Sequence, residues 1–397
     1  SVPGGADMRG KRRNSPELPD ASAGTPEERR ERARQDFTFF RRAYFPHYCL
    51  VGGDSRLHEW LDTELPRMAD APEGVRLAIA APRGEAKSTF VSLFFVLWAV
   101  LTGRKHYILI IADALEQAAS LLGAVKDELE FNEALKRDFP GAGKGHVWNV
   151  GTVVTPGNVK IQALGAGKRM RGLRHGPYRP GLVILDDLEN DENVAKPEQR
   201  DKLQDWLQKT VLNLGAADGS MDVVYVGTIL HYDSVLARTL DKPTWQSKRF
   251  RSIVQWPERL DLWDKWEAIL HADGPVAARA FYDLYQDDME RGAIVSWPAG
   301  RPLYQLMTKR ADSHAAFDSE QQNDPLSGDG APFASCITFW VDRSRDWLLF
   351  GAVDPSLGKL GAGRDPSAIL VGGLLRDTMT LDVVEASIRK RHPDRII

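Results

Sequence analysis

Four short, almost unbroken apolar runs constrain this chain more than any other feature: VRLAIAAP (75–82), HYILIIAD (106–113), LVILDD (182–187) and MDVVYVGT (221–228). A run of that length without polar alternation reads as a strand covered on both faces, and such strands belong to parallel sheets. Helical patterns lie between them. STFVSLFFVLWAVL (88–101) is apolar nearly all round and therefore internal, followed by ALEQAASLLGAVKDELEFNEALKRDF (114–139) and PEQRDKLQDWLQKTVLNL (197–214). This alternation predicts an α/β fold, a parallel sheet with helices on both faces. Two shorter strands are expected either side of the turn Pro156-Gly157-Asn158.

Outside this block the texture changes. Residues 1–36 are polar, with Pro, Gly, Ser and mixed charge, and read as a disordered or appended tail. Its cations Arg9, Lys11, Arg12 and Arg13 are either a phosphate contact or a solvated face. An aromatic-dense segment follows from Phe37, then a short amphipathic helix LHEWLDTELPRM expected to end near Pro66. Residues 37–330 are assigned to the sheet domain, with a Trp-rich, mostly helical linker region over about 233–330. From 331 a new β pattern opens, DWLLFGAVDP, SAILVGGLLR and TMTLDVVEASI, with hairpin spacing between the last two.

Composition excludes several classes. Two cysteines cannot build a disulfide framework, which points to a reducing compartment. The most apolar stretch, Phe90–Leu101, is about half the roughly 20 residues of a membrane span, so no membrane is expected. A net charge of -3 leaves any nucleic-acid contact to local patches.

The loop Ala81-Pro82-Arg83-Gly84-Glu85-Ala86-Lys87-Ser88-Thr89 joins a buried strand to a buried helix. Phosphate binding there needs backbone N–H groups at a helix start, a lysine for the β/γ-phosphates and a hydroxyl for Mg²⁺. Lys87 and Ser88 stand at those places, with Thr89 next; Arg83, Gly84, Glu85 and Ala86 complete the candidate ATP-binding set. The loop departs from GxxxxGK[ST] because alanine occupies both glycine positions. Alanine fits there only if φ stays below zero, and Gly84 is the permissive residue within the loop. The plain alternative is a strand-to-helix turn with a solvated lysine.

LVILDD ends in acids where a second loop must hold the water shell of a Mg²⁺ ion. Asp186 suits the metal, and either Asp187 or Glu189 the attacking water. Upstream, Gly165–His175 holds four cations in seven residues. They are a finger for a neighbour's γ-phosphate, with Arg171 preferred over Arg169 and Arg174, or a DNA-backbone patch. After the fourth strand, Thr228 suits a γ-phosphate contact, whereas His231 beside Asp233 reads as a structural hydrogen-bond pair.

The set APRGEAKST, GKRMRGLRHGPYRPGLVILDDLENDENV, VGTILHYDS and AVDPSLGK, in this order, resembles the large terminase subunit of tailed bacteriophages over about 37–397. That family couples a DNA-packaging ATPase to an RNase H-like endonuclease. The resemblance implies an ASCE-type P-loop NTPase sheet using ATP and Mg²⁺. Arg83 and Lys87 would be its basic loop residues, Ser88 and Asp186 its Mg²⁺ contacts, Asp187 or Glu189 its catalytic carboxylate, Thr228 its coupling residue and Arg171 its finger. It also implies non-specific double-stranded DNA as cargo and a homo-oligomeric ring on the portal protein with a small terminase subunit. The setting would be the host cytoplasm and, transiently, the procapsid. In the nuclease half Asp354 matches the family's first-strand acid, with Asp365 assisting, for Mg²⁺ or Mn²⁺. Glu385 does not match the second acid, so a nuclease domain truncated after three strands and inactive is expected. A helicase-like NTPase and a non-hydrolysing nucleotide-binding scaffold are the competing expectations.

Overall fold

The computed structural model describes residues 23–49, 51–325, 346–354 and 367–389. One eight-stranded sheet dominates: β1 (Arg76–Ala80), β2 (Tyr107–Ala112), β3 (Val147–Trp148), β4 (Thr152–Val154), β5 (Lys160–Gly165), β6 (Leu182–Asp186), β7 (Asp222–Gly227) and β8 (Gln246–Arg249). Their spatial order is β3-β4-β5-β2-β6-β7-β1-β8. The four apolar runs form its parallel centre, β2-β6-β7-β1. Only β4 runs against the rest, antiparallel to both β3 and β5, with Asn158 in the left-handed region at the turn before β5.

Alternate residues of the central strands serve two separate cores. Leu77, Ile79, Ile108, Ile110 and Ile184 pack with Phe95, Trp98 and Leu122 on one face. Ala78, Leu109, Val183 and Tyr225 pack with Leu207, Val211, Val235 and Leu236 on the other. Water reaches neither face, so no polar alternate is tolerated, and that is the physical origin of the unbroken apolar runs.

Several local expectations need correction. The helix Pro26–Gln35 is ordered, although 1–36 reads as a tail; residues 1–22 lie outside the described residues. Its anchor is polar and therefore invisible to hydrophobic patterning. Thr25 and Glu28 form a capping box, Arg29 Nε donates to the buried Asp138 at 2.7 Å, and Trp98 Nε1 donates to the Ala33 carbonyl at 2.8 Å. Pro66 sits inside the helix Arg56–Ala69 instead of ending it. The long helix breaks at Asn132, which caps Glu133–Asp138. The internal helix after the loop opens with wide π-type turns over Thr89–Phe95 before becoming α-helical at Val96–Leu101.

Residues past 233 are not wholly a linker, because β8 returns to the sheet beside β1. Beyond it, β9 (Ile253–Gln255) and β10 (Ile294–Val295) pair, and the helices Leu260–Asp273, Pro275–Glu290 and Leu303–Asp312 build a third core around Trp263, Trp266 and Tyr282. The C-terminal strands β11 (Leu348–Asp354), β12 (Ser367–Leu375) and β13 (Thr380–Arg389) form an antiparallel sheet. No helix among the described residues is long and apolar enough to cross a membrane.

Candidate functional site

β1 and β6 both end at the same edge of the sheet, with β7 between them. The loop leaving β1 and the acids leaving β6 consequently face one another. Lys87 Nζ lies 3.0 Å from Asp187 Oδ2, and Ser88 Oγ donates to Asp186 Oδ1 at 2.9 Å. Ser92, one helical turn further on, donates to the other oxygen of Asp186. Thr228, leaving β7, donates to the Ala81 carbonyl at 3.1 Å. Sequence-distant Lys87, Ser88, Asp186, Asp187 and Thr228 are thus one constellation.

Its backbone is strained on both walls. Ala86 has φ 55 and Asp187 φ 47, both left-handed. The expectation that alanine could stand before Lys87 only with negative φ is therefore wrong: the loop adopts the glycine-like turn with an alanine in it, at a cost of roughly 1–2 kcal/mol. Gly84 has φ +82, a conformation that strains any residue with a Cβ, and its open face is covered by the movable guanidinium of Arg301.

Burial raises the Asp186 carboxyl above the usual range, and the adjacent Asp187 adds to the effect; Ser92, Lys87 and Ser88 oppose it. This hydroxyl–carboxylate pair is hard oxygen chemistry and fits Mg²⁺. No group of three or more His, Cys, Asp or Glu among the described residues gathers to hold a metal by itself.

Two cavities flank the loop. One, of about 170 Å³, is polar and lined by Arg83, Lys87, Asp113, Asp187, Asn190 and Thr228 among others. The other, of about 300 Å³, is lined by Tyr48, His58, Ala86, Thr89, Phe90 and Phe94 among others. Asp113, which the sequence reading missed, accepts from Asn190 and Asn193 at 2.6 and 3.0 Å and so fixes the rim of the polar cavity.

Glu189 lines the polar cavity as well, and both it and Glu85 also hold the surrounding fold. Glu189 accepts from the backbone N–H groups of Val235 and Leu236 at 2.7 and 3.0 Å and from the Tyr225 hydroxyl at 3.2 Å, capping the helix Val235–Leu240. Burial raises its carboxyl. Glu85 is fully buried and lines neither cavity; Ser296 and Ser252 donate to it at 3.2 and 3.5 Å. Burial pushes it up to about 7, with Ser296, His58 and Arg301 opposing. Its carboxyl anchors the loop from behind. Arg83 pairs with Glu320 at the mouth.

The remaining expected residues fall elsewhere. Arg169, Arg171 and Arg174 are exposed and line neither cavity. Asp233 is clamped by Arg200 and Arg238, and its N–H donates to His231 Nδ1, which makes this pair part of the framework. Asp354 is exposed at the end of β11, paired in register with Ala368, while Glu385 lies on β13 opposite Val371. Asp365 and Cys336 lie outside the described residues.

The class defined by these observations is an α/β protein with a polar cleft at the strand ends of a mostly parallel sheet. No protein-family model matches the chain, and no curated protein matches it. Among solved structures it is similar to the large terminase of a thermophilic bacteriophage in complex with ADP. The identity is 11% and the TM-score 0.35, over 85% of this chain and 69% of that one.

Proposed function

We propose that this chain is an ATP-hydrolysing motor of the terminase type that moves double-stranded DNA into a procapsid. The observation that carries the reading is the double contact across one cleft, Lys87 to Asp187 and Ser88 to Asp186. A lysine, a hydroxyl and two carboxylates converge where a triphosphate and its counter-ion would be held. The strand order supports an ASCE-type P-loop NTPase, since β7 lies between the loop strand and the acidic strand. The motif order APRGEAKST, LVILDD and VGTILHYDS supports the terminase family in particular.

On this reading the N–H groups of residues 84–88 cradle the phosphates, and Lys87 leaves Asp187 for the β/γ-phosphate oxygens. Asp187, released, orients a water and takes its proton. The water oxygen bonds to the γ-phosphorus while the bond to the β–γ bridging oxygen breaks, leaving ADP and inorganic phosphate. Ser88 and Asp186 would hold Mg²⁺, which would supply neutralisation of the charge on the phosphate oxygens. The commitment of Glu189 to a helix cap favours Asp187 as the base. Thr228, bonded to the loop, suits reporting hydrolysis, and the ring-lined cavity suits the base of the nucleotide. Arg83 faces its own cleft. Arg171, exposed outside it, suits a neighbour's ATP in a homo-oligomeric ring.

We assign β11–β13 to an RNase H-like nuclease fold, with Asp354 as its first-strand Mg²⁺- or Mn²⁺-binding acid. Portal protein and a small terminase subunit are the proposed partners, in the host cytoplasm. The deciding experiment is phosphate release from Mg-ATP, with and without duplex DNA, by wild type and Lys87→Ala. Turnover lost in the variant at an unchanged melting temperature supports the motor. A wild type that binds ATP yet releases no phosphate supports a scaffold instead.

A further inference from the structure

The outer edge of the sheet carries a second polar feature. β8 runs parallel to β1, with Ala80 opposite Arg249, and is the last strand of the sheet on that side. Lys248, Arg249 and Arg251 are exposed there, while Phe250 between them turns inward and packs edge-on against Trp60 at 5.7 Å. Arg56 reaches the same place from the start of the helix Arg56–Ala69. These cations, with Trp60 and Ser296, line a groove of about 500 Å³ that no carboxylate lines.

The cations here differ from several arginines elsewhere in the sheet domain that are held by carboxylates: Arg41 by Asp54 and Asp62, Arg104 by Asp70, Arg200 and Arg238 by Asp233. None of the four groove cations forms an ion pair with a described residue. The chain as a whole is slightly acidic, at -3, so general basicity does not account for the cluster. Four like charges around one groove repel one another, and an anion with several charges at repeated spacing relieves that repulsion. The groove also backs onto the phosphate loop. Ser296 lines it and donates to Glu85, its N–H donates to the Ser252 carbonyl at 2.8 Å, and Ser252 follows Arg251 directly.

We propose that this groove is a binding site for the sugar–phosphate backbone of duplex nucleic acid, contacted by Arg56, Lys248, Arg249 and Arg251. The choice of nucleic acid among polyanions rests on the motor reading; the presence of an anion site does not.

The test is fluorescence anisotropy of a labelled 30-base-pair duplex of arbitrary sequence, titrated with the full chain at several salt concentrations without nucleotide. A fluorescent ADP is titrated in parallel. The comparison is wild type against the combined variant Lys248→Glu, Arg249→Glu and Arg251→Glu. The expected result is at least a tenfold loss of duplex affinity, a salt slope shallower by about 2–3, and unchanged ADP binding. Equal duplex affinity in the two proteins overturns the site, even if ADP binding and hydrolysis stand. So does a wild type that binds phosphatidylglycerol vesicles but not the duplex. Loss of duplex binding in the variant without ADP binding in either protein leaves the groove standing and removes the motor. Should the triple variant fail to fold by circular dichroism, Arg56→Ala, on a different element, is read instead: a loss of about threefold or more supports the site, and none overturns it.

Discussion

Lys87 and Asp187 occupy opposite walls of one cleft with Nζ and Oδ2 3.0 Å apart, so each holds the partner that a nucleotide would take from it. On the proposed reading phosphate oxygens compete with Asp187 for this lysine. Asp187→Asn therefore separates binding from chemistry. Titration calorimetry should show ATP binding unchanged or tighter by up to about fivefold, because a partly exposed ion pair is worth about 0–1 kcal/mol. Phosphate release should fall by about 100-fold or more, the usual loss of a general base. Full turnover in this variant would contradict the assignment.

Glu189 provides the converse. Its carboxylate satisfies two N–H groups of a helix start and a buried tyrosine hydroxyl. Glu189→Ala leaves those donors without a partner and should cost about 1–3 kcal/mol in denaturant unfolding. Turnover per folded molecule should stay within a few-fold. An unchanged stability with turnover lost would make Glu189 the catalytic base instead.

Ala86 carries strain that glycine would release. Ala86→Gly should raise stability by up to about 1 kcal/mol, the left-handed penalty less the added freedom of the unfolded chain. The check is the midpoint of urea unfolding, and a lower midpoint would mean the turn is not left-handed in solution.

Glu85 gives a pH signature. Its folded carboxyl sits near 7, raised by burial from an ordinary value of 4.5. Between those values the folded state holds a proton the unfolded state has lost, so stability falls as pH rises through this window. Glu85→Gln keeps the shape without the charge. Its melting temperature should match wild type near pH 4.5 and exceed it above pH 7, by the equivalent of about 1–3 kcal/mol. A variant that melts lower at pH 8 would show that the carboxylate is stabilised by His58 and Arg301 more than burial opposes it.

What the sequence revealed follows from which interactions leave a local trace. β1, β2, β6 and β7 were legible because strands buried on two faces must be apolar throughout. β8 was not, since its residues Gln246, Ser247, Lys248 and Arg249 are all exposed, and its place beside β1 depends on backbone pairing rather than on an apolar pattern of its own. The helix Pro26–Gln35 was hidden for a related reason, its anchors being an ion pair to Asp138 and a bond from Trp98.

The cleft shows the same division. Lys87, Ser88, Asp186 and Asp187 stand out because each occupies a strand end that the chain pattern already marks. The role of Glu85 does not, because Ser252 and Ser296 lie far along the chain and only the folded sheet brings them behind the loop. Glu189 belongs to the acid cluster in space as well as in sequence, since it lines the polar cavity, while its oxygens also hold a helix start that the sequence did not reveal.

The most direct test is a crystal structure of the chain with Mg²⁺ and a non-hydrolysable ATP analogue. The triphosphate should lie between residues 81–89 and the tips of β6 and β7, with Lys87 moved from Asp187 onto phosphate oxygens. An analogue bound elsewhere, with the Lys87–Asp187 contact intact, would contradict the account.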